Sequence, residues 1–112
     1  MTIYIWNEHI DKILCVGRPL ADLGVRNYAL SQSESLIALS LLNEMGVAIL
    51  GGDVYALNEN SIEETYDSWH CDQDKLESDK EFLKRSIAIS LNYIQTYSKS
   101  DALFSLIPKS GG

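Results

Sequence analysis

The chain has 112 residues, of which 46% are hydrophobic and 22% charged, and its formal net charge at pH 7 is −7. This size and composition are typical of one globular domain that buries a sizeable core without needing disulfides or a structural metal. With a pI near 4.6 and few, scattered basic residues, the chain is a poor candidate for binding nucleic acid or an anionic membrane.

The N-terminal segment predicts one helix followed by an irregular connection. Apolar residues recur at three- and four-residue intervals between Ile3 and Leu14, which indicates an amphipathic helix that ends before Gly17. From Leu20 to Leu30 the apolar residues have no clean period, so we expect this segment to be a packed connection.

A second helix is predicted to begin after Ser31. This serine and Glu34 fit a capping box, in which each side chain satisfies a free backbone N–H of the first turn. Gly46 suits the left-handed position that ends such a helix. The apolar face is expected to consist of Leu36, Ala38, Leu39, Leu41, Leu42 and Met45.

Three strands are predicted in the middle of the chain. Two short apolar runs, Val47–Leu50 and Val54–Leu57, flank Gly51-Gly52-Asp53, a pattern typical of a β-hairpin with a glycine-rich turn. Asn58-Glu59-Asn60 is a second turn, and a third strand is expected over residues 62–71. Alternation along that strand places Thr65, Asp67, Trp69 and Cys71 on the side facing the core and Ile62, Glu64, Tyr66, Ser68 and His70 on the other.

The C-terminal part predicts a long helix and a final strand. Ser78 and Glu81 form a second capping box, and apolar residues continue at helical spacing as far as Tyr97. Leu103–Ile107 is the last predicted strand. We therefore predict an α+β fold: an antiparallel sheet of about four strands with about three helices packed mainly on one face. Residues 1–112 are expected to form a single domain in which residues 109–112 are a frayed tail.

The cysteines and the N-terminus indicate a cytoplasmic protein. Cys15 and Cys71 lack the density of a secreted disulfide framework, so we expect buried free thiols in a reducing compartment. The N-terminus has no basic segment followed by an apolar run, which argues against a signal peptide. No apolar run is long enough to span a bilayer.

No residue pattern demands an enzyme, a cofactor or a metal ion. Gly51-Gly52-Asp53 could cradle a phosphate, but without a Walker lysine or a GxGxxG spacing a turn is favoured. His70 and Cys71 are neighbours on a strand and point to opposite faces, which argues against a catalytic pair. Paired zinc-ligand spacing is absent, and only half of a calcium loop is matched, by Asp72, Asp74 and Glu77.

The excess negative charge lies in one stretch, from Glu59 to Glu81. It holds nine acidic and two basic residues, a net charge of −7, so the rest of the chain is balanced. A concentrated charge creates a directional field that attracts a basic partner. Asp79 and Glu81 also suit the first turn of the last helix, where the dipole favours acids. A solvated surface that keeps the chain soluble explains the pattern equally well.

Three blocks of the chain carry a family resemblance. They are residues 24–30 (GVRNYAL), residues 46–55 (GVAILGGDVY) and residues 65–71 (TYDSWHC), and the LGGDVY part is the most specific. These blocks resemble the immunity protein 40 family of bacterial polymorphic toxin systems of the contact-dependent inhibition type, and the resemblance extends over about residues 24–97. It implies a small cytoplasmic protein that binds and neutralises a cognate toxin domain. No interface or catalytic residue comes with it.

The resemblance and the charge together lead to three hypotheses. The first is a non-enzymatic immunity protein whose acidic surface docks on the C-terminal domain of the cognate toxin, a basic nuclease. The second is a regulatory or structural module that binds a non-toxin protein and uses the acids for solubility. The third is an enzyme with Asp53 and the Tyr66-Asp67 region as acid or base. Under the first, the residues expected to contact the partner are Glu59, Glu63, Glu64, Tyr66, Asp72, Asp74 and Glu77.

Overall fold

The order of helices and strands confirms the predicted α+β class. The computed structural model describes residues 6–109. Along the chain the elements are α1 (Glu8–Leu14), β1 (Arg18–Pro19), a 3₁₀ turn (Ala21–Leu23), β2 (Tyr28–Ala29), α2 (Gln32–Glu44), β3 (Ile49–Asn58), β4 (Ser61–His70), α3 (Asp79–Thr96) and β5 (Leu103–Pro108). Both predicted capping boxes are confirmed, one before α2 and one before α3. They place the starts of these helices where the sequence predicted them.

The two ends of the chain differ in part from the prediction. Helix α1 begins only at Glu8, because the Asn7 side chain accepts a hydrogen bond from the backbone N–H of Ile10 at 2.9 Å and caps the helix there. The predicted contribution of Ile3 lies outside the described residues, as do residues 110–112 of the predicted tail. Lys109, the described residue of that tail, donates its backbone N–H to the Ala48 carbonyl at 2.8 Å.

The strands form two antiparallel sheets rather than one sheet of four. The main sheet has the order β4-β3-β5, and β1 pairs with β2 in a separate two-stranded ribbon. Part of the segment predicted as a packed connection therefore forms this ribbon. An isolated bridge between Leu30 and Phe104 attaches the end of the ribbon to β5. Strand β5 is covered on its outer edge at this point, whereas β4 pairs with β3 alone.

The predicted hairpin turn at Gly51-Gly52-Asp53 is wrong. These residues lie inside β3, where Gly52 pairs with Trp69 of β4 and with Leu106 of β5. A Cβ atom on Gly52 would lie 2.3 Å from Cη2 of Trp69 and 2.4 Å from the carbonyl oxygen of Ser105. The glycine is thus required because an indole ring and a neighbouring strand pass over it, as glycines inside strands often indicate. The turn of the hairpin is instead the second predicted one, at residues 59–60.

The main sheet buries apolar residues on both faces. One face contributes Val54, Trp69 and Phe104 to a core cluster that includes residues of all three helices, so the helices pack on this side as predicted. The opposite face contributes Tyr55 and Leu103, and a smaller cluster forms there with Leu20 and Ala29 and with the partly buried Val25 and Ile62. The segment around the ribbon therefore covers the second face.

Helix α2 buries a narrower face than the sequence predicted. Its buried residues are Ser35, Ala38, Leu39 and Leu42. Leu41 and Met45, predicted to be part of the apolar face, are exposed together with Ile37. Residues 37, 41 and 45 follow one another at four-residue steps along the helix surface that faces away from the buried positions, which is the reason for the difference. Gly46 ends the helix with φ of 77°, as predicted.

Trp69 and Cys71 are in the core as predicted, with 6% and 2% of their surface exposed. The Nε1 atom of Trp69 donates to Oγ of the buried Ser90 at 3.0 Å, and its ring stacks on Tyr93 at a centroid distance of 4.6 Å. A buried indole N–H needs such an acceptor, since an unpaired one costs about 1–3 kcal/mol. These contacts hold Trp69 in place across Gly52.

Candidate functional site

The seven residues predicted to contact a partner lie along β4 and the loop that follows it. Six of them are exposed and Glu77 is half-buried. They separate into two groups, because β4 is extended and its two ends lie about 25 Å apart at about 3.3 Å per residue. The hairpin acids are Glu59, Glu63 and Glu64; the loop acids are Asp72, Asp74 and Glu77; Tyr66 lies between the groups.

The position of β4 explains part of its acidity. As an edge strand it presents unpaired backbone groups on one side, and charged side chains on such a strand discourage pairing with other chains. This accounts for acids on the edge strand itself. It does not account for an acid on the central strand β3.

One of the three loop acids, Glu77, is paired with a basic residue. Arg85 of α3 holds Glu77 with two hydrogen bonds, from Nε to Oε2 and from Nη2 to Oε1, each 2.7 Å long. Its Nη2 also donates to the carbonyl of Asp72. Lys109 lies with its Nζ 3.7 Å from Oδ1 of Asp79, at the start of α3. Glu77 therefore shapes the loop, and its charge is already paired.

The ion pair of Glu77 should make stability depend on pH between about 2 and 4.5. The hydrogen bonds from Arg85 lower the pKa of Glu77 from 4.5 to about 2. A depressed pKa stabilises the folded state above the ordinary pKa, and this contribution is lost as the pH falls towards the folded one. Arg85→Gln should therefore lower the free energy of unfolding at pH 7, and the difference from wild type should shrink as the pH falls from 4.5 to 2.

Urea denaturation at pH 7, 4 and 2.5, followed by tryptophan fluorescence, measures this difference. Lys84→Gln is the matched control, because Lys84 is an exposed neighbour on the same helix. Its difference from wild type should stay nearly constant over the same range. A constant difference for Arg85→Gln as well would contradict the assigned role of the pair.

At the other end, β4 contains a bulge that the sequence analysis did not predict. The pairing changes from Asp53 with Ser68 to Tyr55 with Glu64, so residues 65–67 all lie opposite Val54. The Thr65 hydroxyl donates to the Val54 carbonyl at 2.8 Å and accepts from the N–H of Asp67 at 3.2 Å. The bulge adds two residues, so the alternation is preserved and Glu64 and Ser68 share the face of Asp53 and Tyr55.

The bulge forms one wall of an open cleft, which we call the bulge cleft. Its volume is about 280 Å³. Tyr66 stands at its rim with φ of 69° and 87% of its surface exposed. Such a backbone conformation is uncommon for a residue other than glycine. The lining residues are Val25, Asp53, Val54, Tyr55, Glu64, Tyr66, Asp67 and Ser68.

Three acidic residues line the bulge cleft, Asp53, Glu64 and Asp67, and none of them forms an ion pair within residues 6–109. The ion pairs found within residues 6–109 are Arg85–Glu77 and Lys109–Asp79, and both lie at the loop end. Burial raises the pKa of Tyr55, and the negative charges of Asp53 and then Glu64 raise it further. The Tyr97 hydroxyl donates to Oδ2 of Asp67 at 2.6 Å, and this hydrogen bond raises the pKa of Tyr97.

Sequence reasoning found some of this site and missed the rest. Glu64 and Tyr66, both predicted contacts, are in the bulge cleft, but Asp53 was assigned to a hairpin turn. Asp67 lies on the helix side of the sheet, as predicted, where its carboxylate accepts a hydrogen bond from Tyr97 at the end of α3, but it is exposed. In the sequence, the only indication of this site was that Glu64 and Ser68 lie an even number of positions apart along a predicted strand and so face the same side.

The cysteines and His70 take up different positions from one another. Cys71 is buried, and burial raises the pKa of its thiol, while His70 is exposed on the other face of the sheet as predicted. Cys15 was predicted to be buried but is exposed, because it follows the last turn of α1 on the surface. Within residues 6–109, no cluster of three or more His, Cys, Asp or Glu side chains is arranged to hold a metal ion.

Comparison with known proteins gives one match. A family model described as immunity protein 40 matches residues 19–108. No curated protein and no solved structure shows significant similarity to the chain. The matched range contains β2 to β5, α2 and α3, and with them the whole bulge cleft. None of the helices within residues 6–109 has the length and apolar character needed to cross a bilayer.

Proposed function

Because the chain belongs to the immunity protein 40 family, it is an immunity protein against a toxin, and we propose that it neutralises a basic toxin domain by binding it through the hairpin end of β4. The partner is the C-terminal domain of the cognate toxin, of the nuclease class. The chain acts by occupying a surface of that domain and performs no catalysis of its own.

The observation that carries the proposal is the uneven compensation of the acidic stretch. At the loop end Arg85 and Lys109 pair with acids. At the hairpin end Glu59, Glu63 and Glu64 are exposed, and no basic residue occurs between positions 59 and 70. The hairpin end therefore projects the larger uncompensated negative potential, and such a potential steers a positively charged partner into contact.

A nuclease fits this surface for an electrostatic reason. A nuclease binds the phosphate backbone with Lys and Arg side chains, so its substrate face is basic. An acidic surface on an immunity protein matches that face and excludes the nucleic acid at the same time. Fast association matters here, because the toxin has to be bound before it acts.

Co-expression in bacteria tests the proposed function. Cells producing the toxin domain encoded upstream of this chain should stop growing, and co-production of the chain should restore growth. The isolated toxin domain should degrade nucleic acid, and the added chain should stop the degradation at a one-to-one ratio. Growth that is not restored, although the chain is folded and abundant, would instead favour a module for a non-toxin partner.

A further inference from the structure

We propose that the bulge cleft is the recognition site for an arginine side chain of the toxin, with the guanidinium group between the carboxylates of Asp53 and Glu64 and against the ring of Tyr66. This inference rests on the proposed function, since it names the chemistry of the same interface. It starts from a cavity of about 280 Å³ that is open to solvent.

The position of Asp53 requires an explanation that edge protection does not provide. Asp53 lies on the central strand β3 and is half-buried, between Ser68 of β4 and Ser105 of β5. A partly desolvated carboxylate is unfavourable unless it is paired, and the Glu64 carboxylate on the same face of the sheet has no ion pair within residues 6–109 either. An incoming cation would relieve this repulsion.

The lining favours a side-chain cation over a metal ion. Its carboxylates do not form a cluster that could hold a metal. Apolar wall is instead provided by Val25, which can contact the methylene groups of a long basic side chain. A long side chain that ends in one positive charge therefore matches both the apolar part and the acidic part of the lining.

The aromatic rim favours arginine over lysine. The ring of Tyr66 is 87% exposed and free to stack on a flat group. A guanidinium is planar, stacks on aromatic rings and is less strongly hydrated than an ammonium group, and it donates two parallel hydrogen bonds to one carboxylate. These are the properties that separate the two basic side chains.

The test uses small probes and the intact chain, so it does not depend on the toxin. N-acetyl-arginine amide is titrated into the ¹⁵N-labelled protein, and amide shifts are followed by NMR. We expect shifts centred on residues 64–68, with affinity weaker by at least about fivefold for N-acetyl-lysine amide and for the uncharged N-acetyl-citrulline amide. Equal binding of the lysine probe would overturn the preference for arginine, and equal binding of the citrulline probe would overturn the charge recognition.

Variants then locate the site. Asp53→Asn and Glu64→Gln should each weaken binding of the arginine probe by at least about fivefold, whereas Glu44→Gln, at the end of α2, should leave it unchanged. Unchanged affinity in both cleft variants, with their NMR spectra showing a folded protein, would overturn the inference. If the wild-type chain protects cells from the toxin but does not bind the arginine probe, only the inference about the cleft is wrong. If it binds the arginine probe but does not protect cells, only the proposed function is wrong.

Discussion

Replacing Glu63 and Glu64 by lysine should slow association with the toxin domain by about tenfold or more at low ionic strength. Both side chains are exposed at the hairpin end, where no basic residue compensates them. Long-range attraction acts mainly before contact, so the change should appear in the association rate. It should shrink as salt is added, because at about 0.15 M the screening length falls to about 8 Å. Stopped-flow measurements between 20 and 500 mM salt would follow this dependence.

The matched control reverses two acids at the other end of β4. Asp72→Lys with Asp74→Lys changes the net charge by the same amount, but it acts at the loop end, where Arg85 and Lys109 pair with the nearby acids Glu77 and Asp79. If the hairpin end docks, this control should slow association by less than about threefold, the effect of net charge alone. If the two double variants slow association equally, the whole acidic stretch contributes to attracting the toxin, without a preference for the hairpin end. Asp72 and Asp74 would then keep the contact role that the sequence analysis predicted.

Gly52→Ala should destabilise the folded chain by about 3 kcal/mol, the upper part of the range for overpacking a close-packed core. The added Cβ would meet Cη2 of Trp69 at 2.3 Å and the backbone oxygen of Ser105 at 2.4 Å. Neither neighbour can move easily. The Trp69 ring is held by Ser90 and Tyr93, and Ser105 is part of β5. Urea denaturation followed by tryptophan fluorescence gives the free energy of unfolding.

Gly24→Ala is the control for the loss of glycine flexibility. Gly24 has φ of 75°, but no atom lies within 4 Å of the Cβ that would be added there. Its substitution should cost about 1 kcal/mol, from backbone strain alone. If Gly52→Ala lowers the free energy of unfolding by no more than Gly24→Ala does, β3 and β4 must be able to move apart at no energetic cost to make room for the added Cβ. The assignment of Gly52 to the inside of a strand would then lose its physical reason.

The starts of α2 and α3 were predicted correctly because they depend on contacts within one turn. In both capping boxes a serine and a glutamate three residues later satisfy each other's backbone N–H groups. The strand after residue 60 was also predicted correctly, with Trp69 facing the core. Alternation is a local property, and the two-residue bulge leaves it unchanged.

The errors in β3 and α2 have one common cause, which is contact between residues far apart in the chain. Gly51 and Gly52 have the local appearance of a turn, and only the passage of Trp69 over the strand shows why they are glycines. Leu41 and Met45 have the local appearance of core residues, and only the packing of α2 decides which of its faces is covered. Local pattern cannot distinguish these cases, because tertiary contacts override it.

The sequence by itself determined the α+β class, the family, the starts of α2 and α3 and the concentration of acid between residues 59 and 81. The tertiary structure alone decided which of those acids stay without a counter-ion. Arg85 of α3 pairs with Glu77, Lys109 after β5 pairs with Asp79, and the pairing of β3 with β4 brings Asp53 beside Glu64. Charge is additive along a chain, but its compensation depends on distances in space. For that reason the bulge cleft could be found only in the folded protein.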